Sequence, residues 1–184
     1  MDLFTVISER RSIRKIKKDA LPDELILKCI EAARLAPSWA NTQVWRFVVI
    51  KDQTIKEAVA SSFGERNPGR QALIDAPAAV CLVAQRNVAG LKKGEAVTDK
   101  GDWFMFDCGI AMEHLVLAAW SLGLGTVHLG AFDSKKVEEV LEVPEGYSVV
   151  ALTPLGYPDE SPDARPRKAM TEILCLDKFG KAYA

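Results

Sequence analysis

The segment Arg10-Arg11-Ser12-Ile13-Arg14 places three arginines within five residues, just after an apolar stretch with helical spacing. Guanidinium groups keep their charge at any working pH and match a phosphate with paired hydrogen bonds. A second basic pair, Arg165 and Arg167, lies near the other end of the chain. The first cluster alone is also compatible with a solvated basic turn, because charge runs usually face water. The two clusters together favour one anion that contacts both.

A second candidate binding segment reads Ala36-Pro37-Ser38-Trp39-Ala40-Asn41-Thr42-Gln43-Val44-Trp45. Short polar side chains in an apolar frame suit a flat heteroaromatic ligand with hydrogen-bonding edges. In the alternative, purely structural interpretation, Ser38 and Asn41 satisfy backbone groups at a helix end, while Trp39 and Trp45 belong to the core. The residues of this segment leave both interpretations open.

Length and composition set the class of protein. A chain of 184 residues with 48% hydrophobic residues and a net charge of −1 is typical of one globular domain, which we expect to span 1–184. The charge balance lacks the basic excess of a nucleic-acid-binding protein. No apolar run is long enough to span a bilayer, and the N-terminus lacks the pattern of a signal peptide. We therefore expect a cytoplasmic protein that binds neither nucleic acid nor membranes.

Cysteines and histidines show no metal-binding pattern. The four cysteines have no paired spacing, and three of them lie in apolar segments: Cys29, Cys81, Cys108 and Cys175. Reduced and mostly buried thiols are the expected state. His114 and His128 have no other ligand at suitable spacing, so we expect no metal site.

The hydrophobic pattern predicts alternating helices and short strands of an α+β domain without repeats. Helices are expected between Pro22 and Pro37, over Asp102–Leu122, and from about Ser134 to Leu141. Strands are expected at 46–51, 78–84 and 147–155, with an extended connection at 125–132 and a loop at 86–101. The helix over Asp102–Leu122 is apolar nearly all round, which predicts burial in the core or at a subunit interface.

Four motifs in this order resemble those of the FMN-dependent nitroreductase family, also called the nitroreductase/NAD(P)H oxidoreductase superfamily. They are the N-terminal arginine segment, Ala36-Pro37-Ser38 with Asn41 and Gln43, Leu122-Gly123-Leu124-Gly125-Thr126, and Gly156-Tyr157-Pro158 followed by the basic pair. The resemblance runs through most of the chain. It implies a mixed, mainly antiparallel central sheet flanked by helices, and an intertwined homodimer with FMN at the subunit interface.

The resemblance also implies which residues hold the flavin. The phosphate and ribityl chain would contact Arg10, Arg11, Ser12 and Arg14 together with Arg165 and Arg167. Arg14 or Arg10 would also lie near the pyrimidine edge of the flavin, where a cation favours the anionic reduced ring. The other subunit would supply Pro37, Ser38, Trp39 and Asn41.

Two further groups of residues are implied on the remaining sides of the flavin. The main chain of Leu129, Gly130 and Ala131 would face the flavin N5 region. Asn67, Arg70 and Gln71 occupy the neighbourhood from which the family supplies an amide to the pyrimidine, with Gln71 as our candidate and the choice among the three left open.

The resemblance implies an enzyme that passes hydride from NADH or NADPH through FMN to nitroaromatic, quinone or similar flat acceptors by a ping-pong mechanism. No catalytic side chain is required, because the cofactor supplies the chemistry. Two features depart from the family pattern. Val44 in place of the usual proline alters a turn more than the chemistry, whereas the short 86–101 insertion leaves the acceptor open. The alternatives are a flavin-binding or storage protein without nicotinamide turnover, and a reductive dehalogenase or flavin-fragmenting relative of the same fold.

Overall fold

The computed structural model describes residues 1–183 and contains seven α-helices within that range. In chain order the helices are α1 (Leu3–Glu9), α2 (Asp23–Arg34), α3 (Gln53–Ala60), α4 (Pro68–Asp75), α5 (Phe104–Ser121), α6 (Ser134–Val140) and α7 (Met170–Ile173). The side chains of Asp2, Asp52, Asn67 and Asp133 accept backbone N–H groups at the starts of α1, α3, α4 and α6. These caps satisfy N–H groups that have no partner inside the helix, so short polar residues set where the helices begin.

Six β-strands complete the described part of the chain. They are β1 (Trp45–Ile50), β2 (Ala78–Gln85), β3 (Leu91–Lys92), β4 (Glu95–Ala96), β5 (Gly125–Thr126) and β6 (Tyr147–Gly156). Four of them form one sheet in the order β1-β2-β6-β5 with every neighbouring pair antiparallel, while β3 and β4 form a separate hairpin. A parallel pairing occurs at the isolated bridge between Ser12 and Thr126. The predicted α+β fold with a mainly antiparallel sheet is confirmed.

Helices cover both faces of the sheet, and the central strand β2 is buried along nearly its whole length. Val80 and Leu82 belong to the cluster that α2 and α5 bury on one face. Cys81 and Val83 belong to the cluster that α3, α4 and α6 bury on the other face. A strand buried on both faces needs a continuous apolar run, which is why the sequence predicted this strand clearly. Burial also raises the pKa of the Cys81 thiol to about 12.

The N-terminal arginine segment runs beside β5 and is held close to the sheet. The Ile13 N–H donates to the carbonyl of Thr126 at 2.8 Å. A Cβ atom added to Gly125 would lie 2.9 Å from Ile13 Cγ2, and one added to Gly156 would lie 2.7 Å from Ile16 Cγ2. Both distances are shorter than real Cβ contacts, so these two glycines permit the segment to pack against the sheet.

The predicted helices and strands are confirmed, with ends that differ by up to three residues. The sequence pattern had given no element for 53–75, where the structure forms the short helices α3 and α4. The loop predicted at 86–101 was wrong in part, because it contains the β3–β4 hairpin. Lys93 and Gly94 connect its strands with φ of 53° and 82°, so a tight left-handed turn pairs two strands too short for a period-two pattern.

Helix α5 is apolar on more than its inward face. Ala111 and Leu115 are fully buried, as the sequence predicted, but Met105 and Phe106 are 57% and 60% exposed. Within residues 1–183, none of the helices combines the length and the apolar character that crossing a membrane requires.

Candidate cofactor-binding site

The structure brings the two basic clusters together at one cleft of about 610 Å³. Its lining includes a serine hydroxyl and five arginines, namely Ser12, Arg10, Arg11, Arg14, Arg165 and Arg167. The first four lie on the segment between α1 and α2, and the last two lie between β6 and α7. Residues that are distant in sequence therefore share one concave surface, as the single-anion interpretation requires.

The charge of this cleft is strongly positive. Within residues 1–183, no carboxylate lies within 4.0 Å of the guanidinium nitrogens of Arg11, Arg14, Arg165 or Arg167. Asp163 is the acidic residue in the lining. The carboxylate of Glu160 accepts the backbone N–H groups of Arg14 and Lys15 and so fixes their backbone without taking up a guanidinium. Five guanidinium groups and a hydroxyl form a donor set that matches a phosphate.

Glu113 on α5 connects the arginine cleft to a second cavity. Its carboxylate lies 3.6 Å from Arg10 Nε and 3.3 Å from His128 Nε2. The hydrogen bond from His128 lowers the pKa of Glu113, with a further contribution from the charge of Arg10 and against the effect of burial. Arg10 lines the arginine cleft, and His128 lines the second cavity. Glu113 thus spans the boundary between a polar and an apolar space.

The second cavity, of about 320 Å³, is mainly apolar and includes two of the predicted flavin-facing residues, Leu129 and Gly130. The N–H and C=O of Leu129 both bond to Leu152, at 2.8 and 3.0 Å, so its main chain is occupied by the sheet. A Cβ atom on Gly130 would meet nothing within 4 Å. Gly130 therefore presents the open stretch of backbone in this segment. The carbonyl of Ala131 accepts a hydrogen bond from Asn67.

Of the three polar candidates before β2, Asn67 lies nearest to this segment. Its side-chain Nδ2 donates to the Ala131 carbonyl at 3.2 Å, and its Oδ1 accepts the Gly69 N–H. Gln71 instead donates to Asp75 at 2.9 Å and is exposed, while Arg70 donates to the Ala60 carbonyl. Asn67 therefore contacts the 129–131 segment directly, whereas the Gln71 side chain is engaged with Asp75 on its own helix.

The Pro37–Asn41 segment forms a third, separate cavity of about 270 Å³. Pro37, Ser38 and Trp39 line it together with Trp103 and Phe106. The Trp39 and Trp103 rings are 5.0 Å apart, and Trp103 meets Phe106 edge to face at 5.3 Å. Aromatic walls of this kind suit a flat ring. In one subunit this cavity is distinct from the other two.

The backbone after Trp39 is strained. Ala40, Asn41 and Gln43 have φ of 43°, 58° and 47°. Asparagine tolerates the left-handed region, but for the other side chains it costs about 1–3 kcal/mol each and persists only where other contacts enforce it. One such contact joins the Ser38 Oγ to the Gln43 N–H at 3.0 Å. The Ser38 hydroxyl thus satisfies a backbone N–H group, as the purely structural interpretation predicts, and Ser38 also lines the cavity.

Asp107 supplies a second contact to this segment from the first turn of α5. Both carboxylate oxygens accept the Trp39 N–H, at 3.0 and 3.1 Å, and the residue is only 1% exposed. Burial raises the pKa of Asp107, the Trp39 hydrogen bond opposes that rise, and the charge of Asp102 adds to it. Asp107 is not among the site residues predicted from the sequence, although a single acid within an otherwise apolar run is a visible signal.

The remaining predicted residues divide between core and surface. Trp45 is buried at 5% exposure, as the structural interpretation expected. Asn41 is exposed, and its Oδ1 accepts a hydrogen bond from Gln43 Nε2 at 3.1 Å. Three of the predicted site residues line none of the three cavities described above, namely Asn41, Gln71 and Ala131.

Comparison with known proteins places these features in a family. The family model described as "Nitroreductase family" matches residues 7–157. A relative from Methanothermobacter thermautotrophicus, provisionally named NADH dehydrogenase/NAD(P)H nitroreductase, is 32% identical over 169 residues, which cover 90% of this chain and 82% of the relative. The solved structure of an FMN-dependent nitroreductase from Clostridium difficile R20291 is similar with a TM-score of 0.80 at 26% identity, covering 96% of this chain and 100% of that one.

A relative with a different named activity is also similar over most of the chain. The iodotyrosine deiodinase of Thermotoga neapolitana is 25% identical over 193 residues, covering 94% of this chain and 95% of the relative. The family match includes the N-terminal arginine segment and ends before Arg165 and Arg167. The second basic pair is therefore a candidate only through its position in the lining of the cleft.

Proposed function

Because the chain belongs to the nitroreductase family, we propose that it is an FMN-dependent NAD(P)H oxidoreductase that reduces flat nitroaromatic or quinone acceptors. The observation that carries the proposal is the arginine cleft, where five guanidinium groups and Ser12 converge. FMN carries one terminal phosphate, and this donor set matches one phosphate in charge and hydrogen-bonding capacity. The relatives named above as NAD(P)H and FMN-dependent nitroreductases support the same cofactor and co-substrate.

The second part of the proposal concerns the isoalloxazine ring. The apolar cavity beside Leu129 and Gly130 joins the arginine cleft through the Arg10–Glu113–His128 contacts. This arrangement suits a cofactor with an anionic tail and a flat apolar head. Gly130 would offer open backbone to the ring edge, and Asn67 rather than Gln71 would supply the amide near the pyrimidine.

We infer that the functional unit is a homodimer with FMN between its subunits. The Pro37–Asn41 segment forms a cavity apart from the arginine cleft in one subunit, so it would complete the site of the other subunit. Large apolar side chains are exposed on α1, on α5 and near the C-terminus, including Phe4 at 81%, Phe106 at 60% and Phe179 fully. Apolar surface of this extent is typical of a protein interface.

When bound, FMN would take hydride from a nicotinamide and pass hydride to an acceptor. The residues of the chain bind and orient the reactants. Trp39, Trp103 and Phe106 would provide aromatic surface against which flat molecules stack. Donor and acceptor would occupy the same face in turn, which is the basis of the ping-pong order.

Steady-state kinetics with NADH or NADPH and a soluble quinone test this function. At several fixed quinone concentrations, double-reciprocal plots should give parallel lines, because the nicotinamide leaves before the quinone binds. Intersecting lines would contradict the shared face. Absence of turnover despite bound FMN would support the storage alternative. Iodide release from iodotyrosine at a rate above quinone reduction would support the dehalogenase alternative suggested by the deiodinase relative.

A further inference from the structure

We propose that Asp107 is a positioning residue of the cofactor site, whose ionised carboxylate holds the segment Ser38–Gln43 in the conformation that the flavin of the neighbouring subunit requires. The inference rests on the proposed function, which assigns Pro37–Asn41 to that flavin. Asp107 borders the Pro37–Asn41 cavity but is only 1% exposed, so its effect would pass through the backbone of Trp39 and not through contact with the cofactor or the substrates.

The hydrogen bonds of the Asp107 carboxylate go to this segment. Both oxygens accept the Trp39 N–H, at 3.0 and 3.1 Å, and the residue is 1% exposed. Within residues 1–183, no lysine, arginine or histidine nitrogen lies within 4.0 Å of it. A buried carboxylate without a cationic partner is costly to keep, and here its hydrogen bonds go to one backbone group of the candidate site.

The segment needs an external anchor because its own contacts are local. The Ser38 hydroxyl bonds to the Gln43 N–H, and the Gln43 side chain bonds to Asn41. These bonds shape the loop internally. A further bond, from the Arg46 guanidinium of β1 to the Gln43 carbonyl at 3.2 Å, holds the end of the loop that is remote from Trp39. Asp107, together with the tilted ring contact between Trp39 and Trp103, attaches the loop to the start of α5. The left-handed residue Ala40 follows Trp39 directly, so loss of this bond would let the backbone relax at the strained position.

Ionisation of Asp107 matters because a protonated carboxyl group places a hydrogen on one of the two accepting oxygens. The other side chains lining this cavity are Pro37, Ser38, Trp39, Trp103, Phe106 and Ile110, none of which titrates near neutral pH. The titratable neighbours of Asp107 are Asp102 and Cys108. Burial and the charge of Asp102 raise the pKa of Asp107 despite the Trp39 hydrogen bond. The positioning effect should therefore weaken as the pH falls toward that pKa.

The raised pKa of Asp107 also allows a positioning role to be distinguished from a role in stability. The pKa of Asp107 is higher in the folded protein than in the unfolded chain, so ionisation costs folding free energy as the pH rises through the folded pKa. Replacement by a neutral side chain of the same shape should remove that cost at neutral pH. Asp107→Asn should then be at least as thermally stable as the parent protein while its cofactor site is impaired.

The test compares Asp107→Asn, which retains one acceptor, with Asp107→Leu, which retains none. Asp102→Asn is the matched control, because Asp102 is a neighbouring carboxylate that accepts from Asn87 and Phe104 but not from the Trp39 segment. The readouts are the FMN dissociation constant, the melting temperature, and kcat/KM for quinone reduction as a function of pH.

We expect Asp107→Leu to raise the FMN dissociation constant or lower kcat/KM by about tenfold, the scale of one charge-assisted hydrogen bond. Asp107→Asn should show a smaller loss, an unchanged or higher melting temperature, and no acid decline in kcat/KM where the parent protein declines. Asp102→Asn should match the parent in FMN affinity and in kcat/KM at neutral pH, while its acid decline should move to lower pH, because the charge of Asp102 raises the pKa of Asp107. A parent protein that binds no FMN would refute the proposed function itself. FMN binding and a pH profile of Asp107→Asn identical to the parent would overturn the role of Asp107, even if Asp107→Leu failed to fold.

Discussion

Replacement of Gly125 by alanine should displace the arginine segment without touching an arginine. The added Cβ would lie 2.9 Å from Ile13 Cγ2 and 3.0 Å from Ile13 Cβ. Ile13 cannot easily move away, because it is 1% exposed and its N–H donates to Thr126 at 2.8 Å. Overpacking of this kind costs about 1–3 kcal/mol. For a domain of this size, that cost lowers the melting temperature by about 2–12 °C.

The displacement should also weaken cofactor binding, because Ser12 and Arg14 flank Ile13. Loss of one charge-assisted hydrogen bond costs about 1.5–3 kcal/mol, which raises the FMN dissociation constant about 10- to 150-fold. Gly64→Ala is the matched control, since a Cβ there would meet nothing within 4 Å and its φ is ordinary. The measurements are thermal unfolding and fluorescence titration with FMN. Equal melting temperatures and FMN affinities in the two variants would refute the packing argument.

Three other predictions follow from the site. The purified protein should carry FMN and not FAD, because the cleft offers one phosphate-sized donor set; mass spectrometry that found FAD would contradict this. Arg14→Ala and Arg167→Ala should each weaken FMN binding about 10- to 150-fold without loss of fold, whereas Arg66→Ala, outside the cleft, should leave the affinity unchanged. Unchanged affinity in both cleft variants would show that these arginines are merely solvated surface charges. Analytical ultracentrifugation should show a homodimer, and a monomer that retains FMN tightly would contradict the interface site.

The parts of the fold and of the candidate site that could be predicted from the sequence are those that depend on residue type and on the spacing of apolar residues. The two arginine clusters together favour an anion site, and the apolar run of β2 predicts a strand that is buried on both faces. The glycines of the resemblance were recognised as a motif, but their physical role depends on Ile13 and Ile16 approaching within 3 Å of where a Cβ would lie. That approach is tertiary and has no signature in the local sequence.

The residues that were missed act through partners distant in the chain. Asp107 contacts Trp39, and Glu113 joins Arg10 to His128, across separations that no local pattern encodes. The choice among Asn67, Arg70 and Gln71 depends on which partner each side chain finds in the folded chain. Asn67 caps α4 and reaches Ala131, while Gln71, four positions along, pairs with Asp75 on the same helix. The contact between Asn67 and Ala131 joins residues that are far apart in the sequence, so no local pattern predicts it.

Anaerobic titration of the FMN-bound protein with NADH or NADPH tests the central claim most directly. The visible absorbance of the bound flavin should bleach with one equivalent of nicotinamide per FMN, and it should return when a quinone or nitroaromatic is added without oxygen. Flavin absorbance that persists with both nicotinamides, in protein shown to hold FMN, would contradict the assignment as an NAD(P)H oxidoreductase.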